Sequence, residues 1–319
     1  MLVVNPNLAF DRTLWVDAFE AGTVSRPTRV AVTAGGKGVN VVRTLRDLAV
    51  PARLVGLLPA TDGAELVRLL EAEGVTLLPV PVEGSVRVAT IVVEASGRAT
   101  VLNEPGPVVG ADEQRALLDT LDEALTGVSR PLVACSGSLP PGLPADTYGR
   151  VAELVHAHDG MVVVDAARDA LAAALPFGPD VVTPNLAEAQ GVLEGRSVEL
   201  SHHDADLEAE RAAALRAAHG LRERGAVRAI VTVGSHGVAW VDADGGEHWT
   251  AAHEVRQVNP IGAGDSFVGG LLRGLADEAG WEHAVRHAAA VAGAAVENPV
   301  AGYVDATRVA ELLGAGALR

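Results

Sequence analysis

The order of apolar and amphipathic segments predicts an α/β fold with a mainly parallel, doubly wound sheet and helices on both faces. Short apolar runs alternate with longer amphipathic runs through most of the chain. The last quarter, 264–313, has a mostly helical pattern with a break at 298–303. With 319 residues, 49% of them hydrophobic, the chain can bury a large core, and its length fits one large α/β domain or two modest ones.

The first clear strand-and-helix unit lies at 53–73. Residues 53–58 form a short apolar run, and 62–73 places Leu66 and Leu70 on one side of a helix that stops at Gly74. Later units repeat this order, with strands predicted at 131–135, 161–165, 181–183 and 229–233 and helices at 144–158, shortly after 165 and from 186.

Two stretches do not fit this alternation. Residues 13–33 are β-like with charged and turn residues interspersed, and 86–102 alternates around a hairpin-like break at Ser96-Gly97. We expect both to form a small sheet beside the main one; ordinary edge strands of the main sheet are the alternative.

The charge and the cysteine content exclude several classes of protein. A formal net charge of -16 argues against nucleic acid or an anionic membrane as the main partner. No apolar run approaches the ~20 residues that cross a bilayer, and 1–11 lacks the pattern of a signal peptide. The single cysteine, Cys135, allows no internal disulfide, so a cytoplasmic location is expected.

A glycine-rich turn at 259–266 precedes a helical pattern near the C-terminus. Gly262 and Gly264 allow close approach to the backbone, and unpaired N–H groups at the start of a helix attract anions. Asp265 then has three possible roles: a helix cap, a metal ligand, or an acceptor for the proton of a hydroxyl that attacks a bound phosphate.

The spacing of the glycines argues against two common nucleotide sites. Gly262, Gly264 and Gly269 do not form G-x-G-x-x-G, and Asp265 would repel a pyrophosphate, which disfavours a nicotinamide-dependent oxidoreductase. The chain also lacks the P-loop pattern.

A second glycine-rich turn, 34–40, leads into another helical pattern. It contains Gly36, Asn40 and Lys37, which is the only lysine of the chain. Backbone N–H groups and an ammonium suit a phosphate, and the Asn40 amide suits sugar hydroxyls. Asp11, predicted to follow the first strand, is either a ligand at the sheet edge or a turn residue. A loop with an exposed lysine is the alternative for the turn itself.

Two adjacent histidines, His202 and His203, lie in the acidic segment 194–210. A solvated loop is favoured there over a metal site, because no further ligand has suitable spacing.

The two turns, in this order and far apart in the chain, resemble the ribokinase-like sugar kinases of the phosphofructokinase B type. The first is similar to the family's GGKGxN signature and the second to its GAGD signature. Five further segments resemble motifs of that family, namely 103–107, 136–142, 164–168, 184–188 and 233–237. The resemblance spans essentially the whole chain.

The resemblance implies a single domain over 1–319, built as a three-layer α/β/α sandwich with a small β-sheet lid formed from about 13–33 and 86–102. In the 1-phosphofructokinase and tagatose-6-phosphate kinase branch such a lid often packs against a second subunit, so a homodimer is expected. It further implies that Asp265 is the catalytic base and that Gly262, Ala263 and Gly264 donate backbone N–H groups to the transferred phosphoryl group.

The same resemblance implies that ATP and Mg²⁺ are the cofactors, and it leaves a monovalent cation open. Glu188 would organise Mg²⁺ through water. The nucleotide would be bound by Asn185, Thr232, Gly234, Gly237 and Asn298.

Finally, the resemblance implies a substrate that already has a phosphate group. Lys37, Arg87 and Ser138 would bind that phosphate, and Asp11, Gly36 and Asn40 would hold the sugar. The expected reaction is ATP-dependent phosphorylation of fructose 1-phosphate to fructose 1,6-bisphosphate. Tagatose-6-phosphate kinase, minor-type 6-phosphofructokinase, a kinase of a free sugar or nucleoside, and a catalytically silent sugar-binding or regulatory protein are the alternatives.

Overall fold

The computed structural model describes residues 1–195 and 206–316. His202 and His203 lie outside the described residues. The described strands, in chain order, are β1 (Leu2–Val4), β2 (Ala9–Val16), β3 (Arg29–Gly35), β4 (Arg53–Pro59), β5 (Thr76–Val82), β6 (Arg87–Glu94), β7 (Ala99–Asn103), β8 (Leu132–Ser136), β9 (Met161–Asp165), β10 (Val181–Val182), β11 (Arg228–Thr232), β12 (Gly237–Val241) and β13 (Glu247–Ala251). The described α-helices are α1 (Lys37–Asp47), α2 (Gly63–Ala72), α3 (Ala111–Leu125), α4 (Thr147–Ala157), α5 (Arg168–Ala174), α6 (Leu186–Glu194), α7 (Leu207–Glu223), α8 (Ala263–Ala276), α9 (Trp281–Val296) and α10 (Ala306–Gly316).

The main sheet has nine strands in the order β13-β12-β11-β10-β9-β8-β1-β4-β5. The strands from β11 to β5 run parallel, while β12 and β13 add an antiparallel edge. The predicted mainly parallel sheet is confirmed.

Helices cover both faces of this sheet. Leu2 and Val4 point into a core shared with α3 to α7, whereas Val3, between them, points into a core shared with α1, α2, α8 and α9. Alternation along a strand sends successive side chains to opposite faces, so one apolar strand supplies both cores. This is the predicted three-layer sandwich.

The second sheet has four strands in the order β3-β2-β6-β7. Strands β2 and β6 are parallel, and the two outer pairs are antiparallel. The stretches 13–33 and 86–102 therefore pair with each other and are not edge strands of the main sheet. Asp11 lies inside β2, and not directly after the first strand as expected, because β1 ends at Val4.

The helical last quarter is divided twice. Besides the predicted break near 298–303, α8 ends before 277–280, where Glu278 and Gly280 adopt φ of 53° and 96°. Such left-handed residues interrupt a right-handed helix. Among the described helices, none is both long and apolar enough to cross a membrane.

Candidate active site

Polar side chains are buried along the carboxyl edge of the main sheet. Asn5 and Asn7 follow β1, Ser136 and Asp165 end β8 and β9, and Thr183 follows β10. Parallel strands end at one edge, and ligands of open α/β sheets bind outside that edge. This edge is therefore the candidate active site.

Asn5 holds the glycine-rich turn that opens α1. Its Oδ1 accepts the Gly38 N–H at 3.1 Å. Gly36 has a φ of 118°, and a Cβ there would stand 2.5 Å from the same Oδ1. The turn thus needs glycine at 36 both for its backbone conformation and for the close approach of Asn5.

Helices α1 and α8 bring the two predicted turns together. The Asn40 Nδ2 donates to Asp265 Oδ2 at 2.7 Å, across 225 residues of sequence. One turn further, the Thr44 hydroxyl lies 3.0 Å from the hydroxyl of Ser266. A Cβ on Gly269 would stand 2.7 Å from the Thr44 Cγ2, so the absence of a side chain at 269 sets how closely the helices cross.

The N-terminus of α8 is arranged to receive an anion. Gly262 is its N-cap, with a left-handed φ of 82°. The Ala263 N–H donates to the Pro260 carbonyl at 3.3 Å. Apart from its chain neighbours and the backbone of its own helix, no described atom lies within 4 Å of the position a Cβ on Gly264 would take, so the turn opens onto free space. Helix N-termini in this setting stabilise negative charge.

Asp265 is buried beside groups of both charges. Burial raises the pKa of its carboxyl to about 7, even though the Lys37 ammonium and the Asn40 donor lower it; Asp165 and Asp11 raise it further. A carboxylate with a pKa near neutrality is suited to accept a proton.

Lys37 lies between two carboxylates. Its Nζ is 3.4 Å from Asp165 Oδ2 and 3.6 Å from Glu188 Oε1. Burial alone would lower the pKa of the ammonium, but Asp165, Glu188 and Asp265 raise it above its usual range. Lys37 is therefore charged and connects α1 with the edge formed by β9 and α6.

The pair predicted to bind nucleotide and magnesium forms the N-terminus of α6. The Glu188 N–H donates to Asn185 Oδ1 at 2.8 Å, and the Asn185 N–H donates to Glu188 Oε2 at 3.0 Å. This reciprocal capping box holds both side chains in place.

The fit of Mg²⁺ can be judged from these acidic groups. Within 1–195 and 206–316, no group of three or more His, Cys, Asp or Glu side chains could hold a metal by itself. Mg²⁺ is commonly bound by one or two carboxylates together with substrate phosphates and water. Glu188, partly exposed at this edge, fits such a site.

A polar cluster of Asn7, Arg87 and Ser138 joins the second sheet to the main one. The Asn7 Nδ2 donates to Ser138 Oγ and to the Pro105 carbonyl, both at 3.1 Å, and Arg87 Nε donates to the Asn7 carbonyl at 3.2 Å. The Asn7 Oδ1 is buried without a partner among the described residues. Gly106 passes so close that a Cβ would stand 2.3 Å from that oxygen.

Asp11 lies on the second sheet next to the first turn. A Cβ on Gly35 would stand 2.1 Å from its Oδ1. Burial raises the pKa of Asp11 to about 6, although Arg43 and Arg87 lower it. The structure thus connects Asp11 with the same cluster as Arg87.

Three predicted nucleotide residues lie around the end of β11. Thr232 forms a β-bridge with Asn185, and Gly234 and Gly237 begin and follow a 3₁₀ turn, with φ of 52° and 136°. Asn298, after α9, uses its Oδ1 to accept the Val300 N–H at 3.0 Å.

Four residues of this edge were not assigned a role from the sequence: Asn5, Asn7, Arg43 and Asp165. Asn5 directly follows β1, Asn7 comes two residues later and Asp165 ends β9, so a polar residue at or just after the end of an apolar strand could have identified these three. Arg43 gave no such signal, because it stands in the middle of an amphipathic helix.

Comparison with known proteins agrees with this geometry. A family model described as pfkB family carbohydrate kinase matches residues 5–307. The chain is 31% identical to the 1-phosphofructokinase of Escherichia coli (strain K12) over 98% of its own length and 95% of that protein. It is 33% identical to the 1-phosphofructokinase of Rhodobacter capsulatus over 84% and 81%.

A solved structure is similar over the whole chain. Phosphofructokinase-2 from Escherichia coli in complex with potassium superposes with a TM-score of 0.85 at 26% identity, covering 99% of both chains. The match includes the three-layer sandwich and extends the likeness from sequence to fold. The chain therefore belongs to the pfkB family of carbohydrate kinases and is an ATP-dependent sugar kinase of the phosphofructokinase type.

Proposed function

We propose that this kinase phosphorylates a ketohexose phosphate, with fructose 1-phosphate as its substrate and fructose 1,6-bisphosphate as its product. The observation that supports a phosphorylated substrate is the cluster of Arg87, Asn7 and Ser138 at the active-site edge. The Arg87 guanidinium is suited to a phosphate group, and so is the Ser138 hydroxyl, whose proton stays available because its oxygen accepts from Asn7. The two relatives named 1-phosphofructokinase support the choice of sugar.

In the proposed mechanism, Asp265 accepts the proton of the acceptor hydroxyl as its oxygen bonds to the γ-phosphorus of ATP. The bond between that phosphorus and the β,γ-bridging oxygen breaks, and ADP leaves. Backbone N–H groups at Gly262 and Gly264 stabilise charge on the transferred group, while the Ala263 N–H, which donates to the Pro260 carbonyl, holds the turn in shape. Phosphoryl transfer depends mainly on positioning and electrostatics, so no covalent intermediate is required.

The other predicted roles complete the proposal. Asp11, Gly36 and Asn40 bind the sugar, and Lys37 compensates phosphate charge together with Arg87. Asn185, Thr232, Gly234, Gly237 and Asn298 surround the nucleotide. Bound Mg²⁺ would neutralise charge on the ATP phosphates, with Glu188 holding its water ligands.

We also propose that the second sheet is a lid whose outer face is covered by a second copy of the chain. Val32 and Leu102 share one row of that face with Arg12 and Thr90, and both apolar side chains are exposed. Burying them in a dimer would remove apolar area from water. Light scattering should detect a dimer that Val32→Asp converts to monomer; a wild-type monomer would contradict this.

We also propose that the protein acts in the cytoplasm.

The substrate is tested by measuring kcat/KM with Mg-ATP and a panel of sugars. The panel contains fructose 1-phosphate, fructose 6-phosphate, tagatose 6-phosphate, free fructose and a nucleoside, each with and without K⁺. We expect the highest value for fructose 1-phosphate. Another preferred sugar would overturn the substrate, and absence of ADP from a folded, ATP-binding protein would favour the silent sugar-binding alternative.

A matched pair of variants tests whether the cluster of Arg87, Asn7 and Ser138 binds the phosphate of the substrate. Arg87→Met should raise KM for the phosphosugar at least tenfold while leaving KM for ATP nearly unchanged. Arg68→Met, which removes an exposed arginine of α2 paired with Glu65, is the control. Equal effects of the two variants would contradict a phosphate site at Arg87.

A further inference from the structure

Arg43 is the largest charged side chain buried next to the site, with 1% of its surface exposed. It lies on α1 one turn after Asn40. Its Nη2 donates to Glu73 Oε1 at 2.7 Å and to the Ala34 carbonyl at 2.6 Å, and its Nε donates to Glu73 Oε2. Glu73 thus neutralises the guanidinium and fixes its plane.

The remaining arm of the guanidinium points toward the catalytic residues. Its Nη1 donates to Asn40 Oδ1 at 3.0 Å, and the other end of the same amide donates to Asp265 Oδ2 at 2.7 Å. Hydrogen bonds therefore connect Glu73, Arg43, Asn40 and Asp265 in sequence.

This connection determines the orientation of the Asn40 amide. A guanidinium only donates hydrogen bonds, so the amide oxygen must face Arg43. The amide nitrogen then faces Asp265. The reversed amide would present an oxygen to the carboxylate and a nitrogen to the guanidinium, and both contacts would be repulsive. Among the described residues, no other side chain donates to this carboxylate.

We propose that Arg43 is a positioning residue of the phosphoryl transfer: it holds the Asn40 amide so that Asp265 Oδ2 is occupied and Oδ1 is presented to the acceptor hydroxyl. This inference rests on the proposed role of Asp265 as the base. Arg43 acts through Asn40 and has no hydrogen bond to Asp265 itself. Glu73, at the end of α2, is the outer anchor of this arrangement.

The decisive variant is Arg43→Lys. It keeps the positive charge opposite Glu73 and near Asp11, but a single ammonium cannot replace a fork that reaches Glu73, Ala34 and Asn40. We expect kcat to fall about 10²-fold, as for a reacting group misplaced by about 1 Å. ATP affinity, measured by calorimetry, should stay within threefold of wild type.

The pH profile distinguishes positioning from general damage. The Asn40 donor favours the ionised form of Asp265, so its loss should move the acid limb of kcat to higher pH. The charged groups that face Asp265, namely Lys37 on α1, Asp165 on β9 and Asp11 on β2, are unchanged in Arg43→Lys. A shift of the limb therefore reports on Asn40.

Three further variants complete the test. Arg228→Lys is the matched control: this arginine begins β11, at the sheet edge opposite the site, and is paired with Asp242, so the variant should keep wild-type kcat and pH profile. Glu73→Gln is nearly isosteric and should lower kcat less than Arg43→Lys does, while also shifting the acid limb of kcat to higher pH. This variant provides the test if Arg43→Lys does not fold. In an Asn40→Ala background, Arg43→Lys should cause no further shift of the limb.

The outcomes separate this inference from the proposed function. The role of Arg43 alone would be overturned if both Arg43→Lys and Glu73→Gln kept the wild-type kcat and acid limb while Asp265→Asn was inactive. A loss of kcat without a shift of the limb would overturn it too. Substantial turnover by Asp265→Asn would overturn the proposed base, and the inference with it.

Discussion

Replacing Gly269 by alanine tests whether the crossing of α1 and α8 controls catalysis. The new Cβ would stand 2.7 Å from Thr44 Cγ2 and 2.9 Å from Thr44 Cβ. Carbon atoms in contact normally lie ~3.5–4.0 Å apart, so the helices must separate by about 1 Å. Asn40 and Asp265 face each other across the same crossing and would separate with them.

The size of the effect follows from these distances. Overpacking of this kind costs about 1–3 kcal/mol, while alanine gains roughly 1 kcal/mol over glycine in a helix, so the net loss of stability is about 0–2 kcal/mol. A displacement of about 1 Å at the Asn40–Asp265 pair should reduce kcat about 10²-fold. A 10²-fold loss of rate corresponds to about 2.7 kcal/mol of activation free energy, so catalysis suffers more than stability.

The assay compares kcat at saturating substrates with unfolding in urea. Gly314→Ala in α10 is the matched control, because this exposed glycine has no described atom within 4 Å of the new Cβ. It should raise stability by at most about 1 kcal/mol and leave kcat unchanged. If Gly269→Ala kept wild-type kcat, the close crossing would not be needed to position the base.

Three other predictions concern the charged groups of the site. Asp265→Asn should lower kcat at least 10³-fold with ATP binding retained by calorimetry; near-normal turnover would reduce Asp265 to a helix cap. Because Asp265 must be ionised and burial raises its pKa to about 7, kcat/KM should fall about tenfold per pH unit below that value and level off above it. The Asp11→Asn variant should still show this fall of kcat/KM at low pH. If the fall disappeared in that variant, it would be due to the titration of Asp11, whose pKa burial raises to about 6. Lys37→Met should raise KM for the phosphosugar far more than for ATP, whereas equal increases would place Lys37 on the nucleotide side.

The sequence predicted the architecture because its periodicity is strong. The strand at 161–165 coincides with β9, and the parallel sheet follows from alternating strands and helices. The differences between the predicted and the observed elements are local. The strand predicted at 181–183 has only two residues in the structure, and the interruption at 277–280 depends on left-handed residues that the hydrophobic pattern does not reveal.

The site was harder to predict than the fold. Glycine-rich turns and the lone lysine identified Asp265, Asn40 and Lys37 as candidates, but the contacts among them join segments far apart in the chain. No local pattern could predict that the Asn40 amide would also donate to Asp265. Arg43 was missed for the same reason: its partners, Glu73 and Ala34, meet it only in the tertiary structure.

Three glycines in α8 have a consequence for the order of folding. Gly269, Gly270 and Gly274 each lower intrinsic helix stability by roughly 1 kcal/mol relative to alanine, and the last two admit Val291 and Ala284 of α9 to contact with the backbone. We therefore expect α8 to become ordered only when α1 and α9 pack against it. On the ribosome, the base would stay unorganised until 281–296 has been synthesised, so partly made chains should bind no substrate productively. Pulsed hydrogen exchange during refolding would show α8 amides protected together with those of α9; earlier protection of α8 would contradict this order.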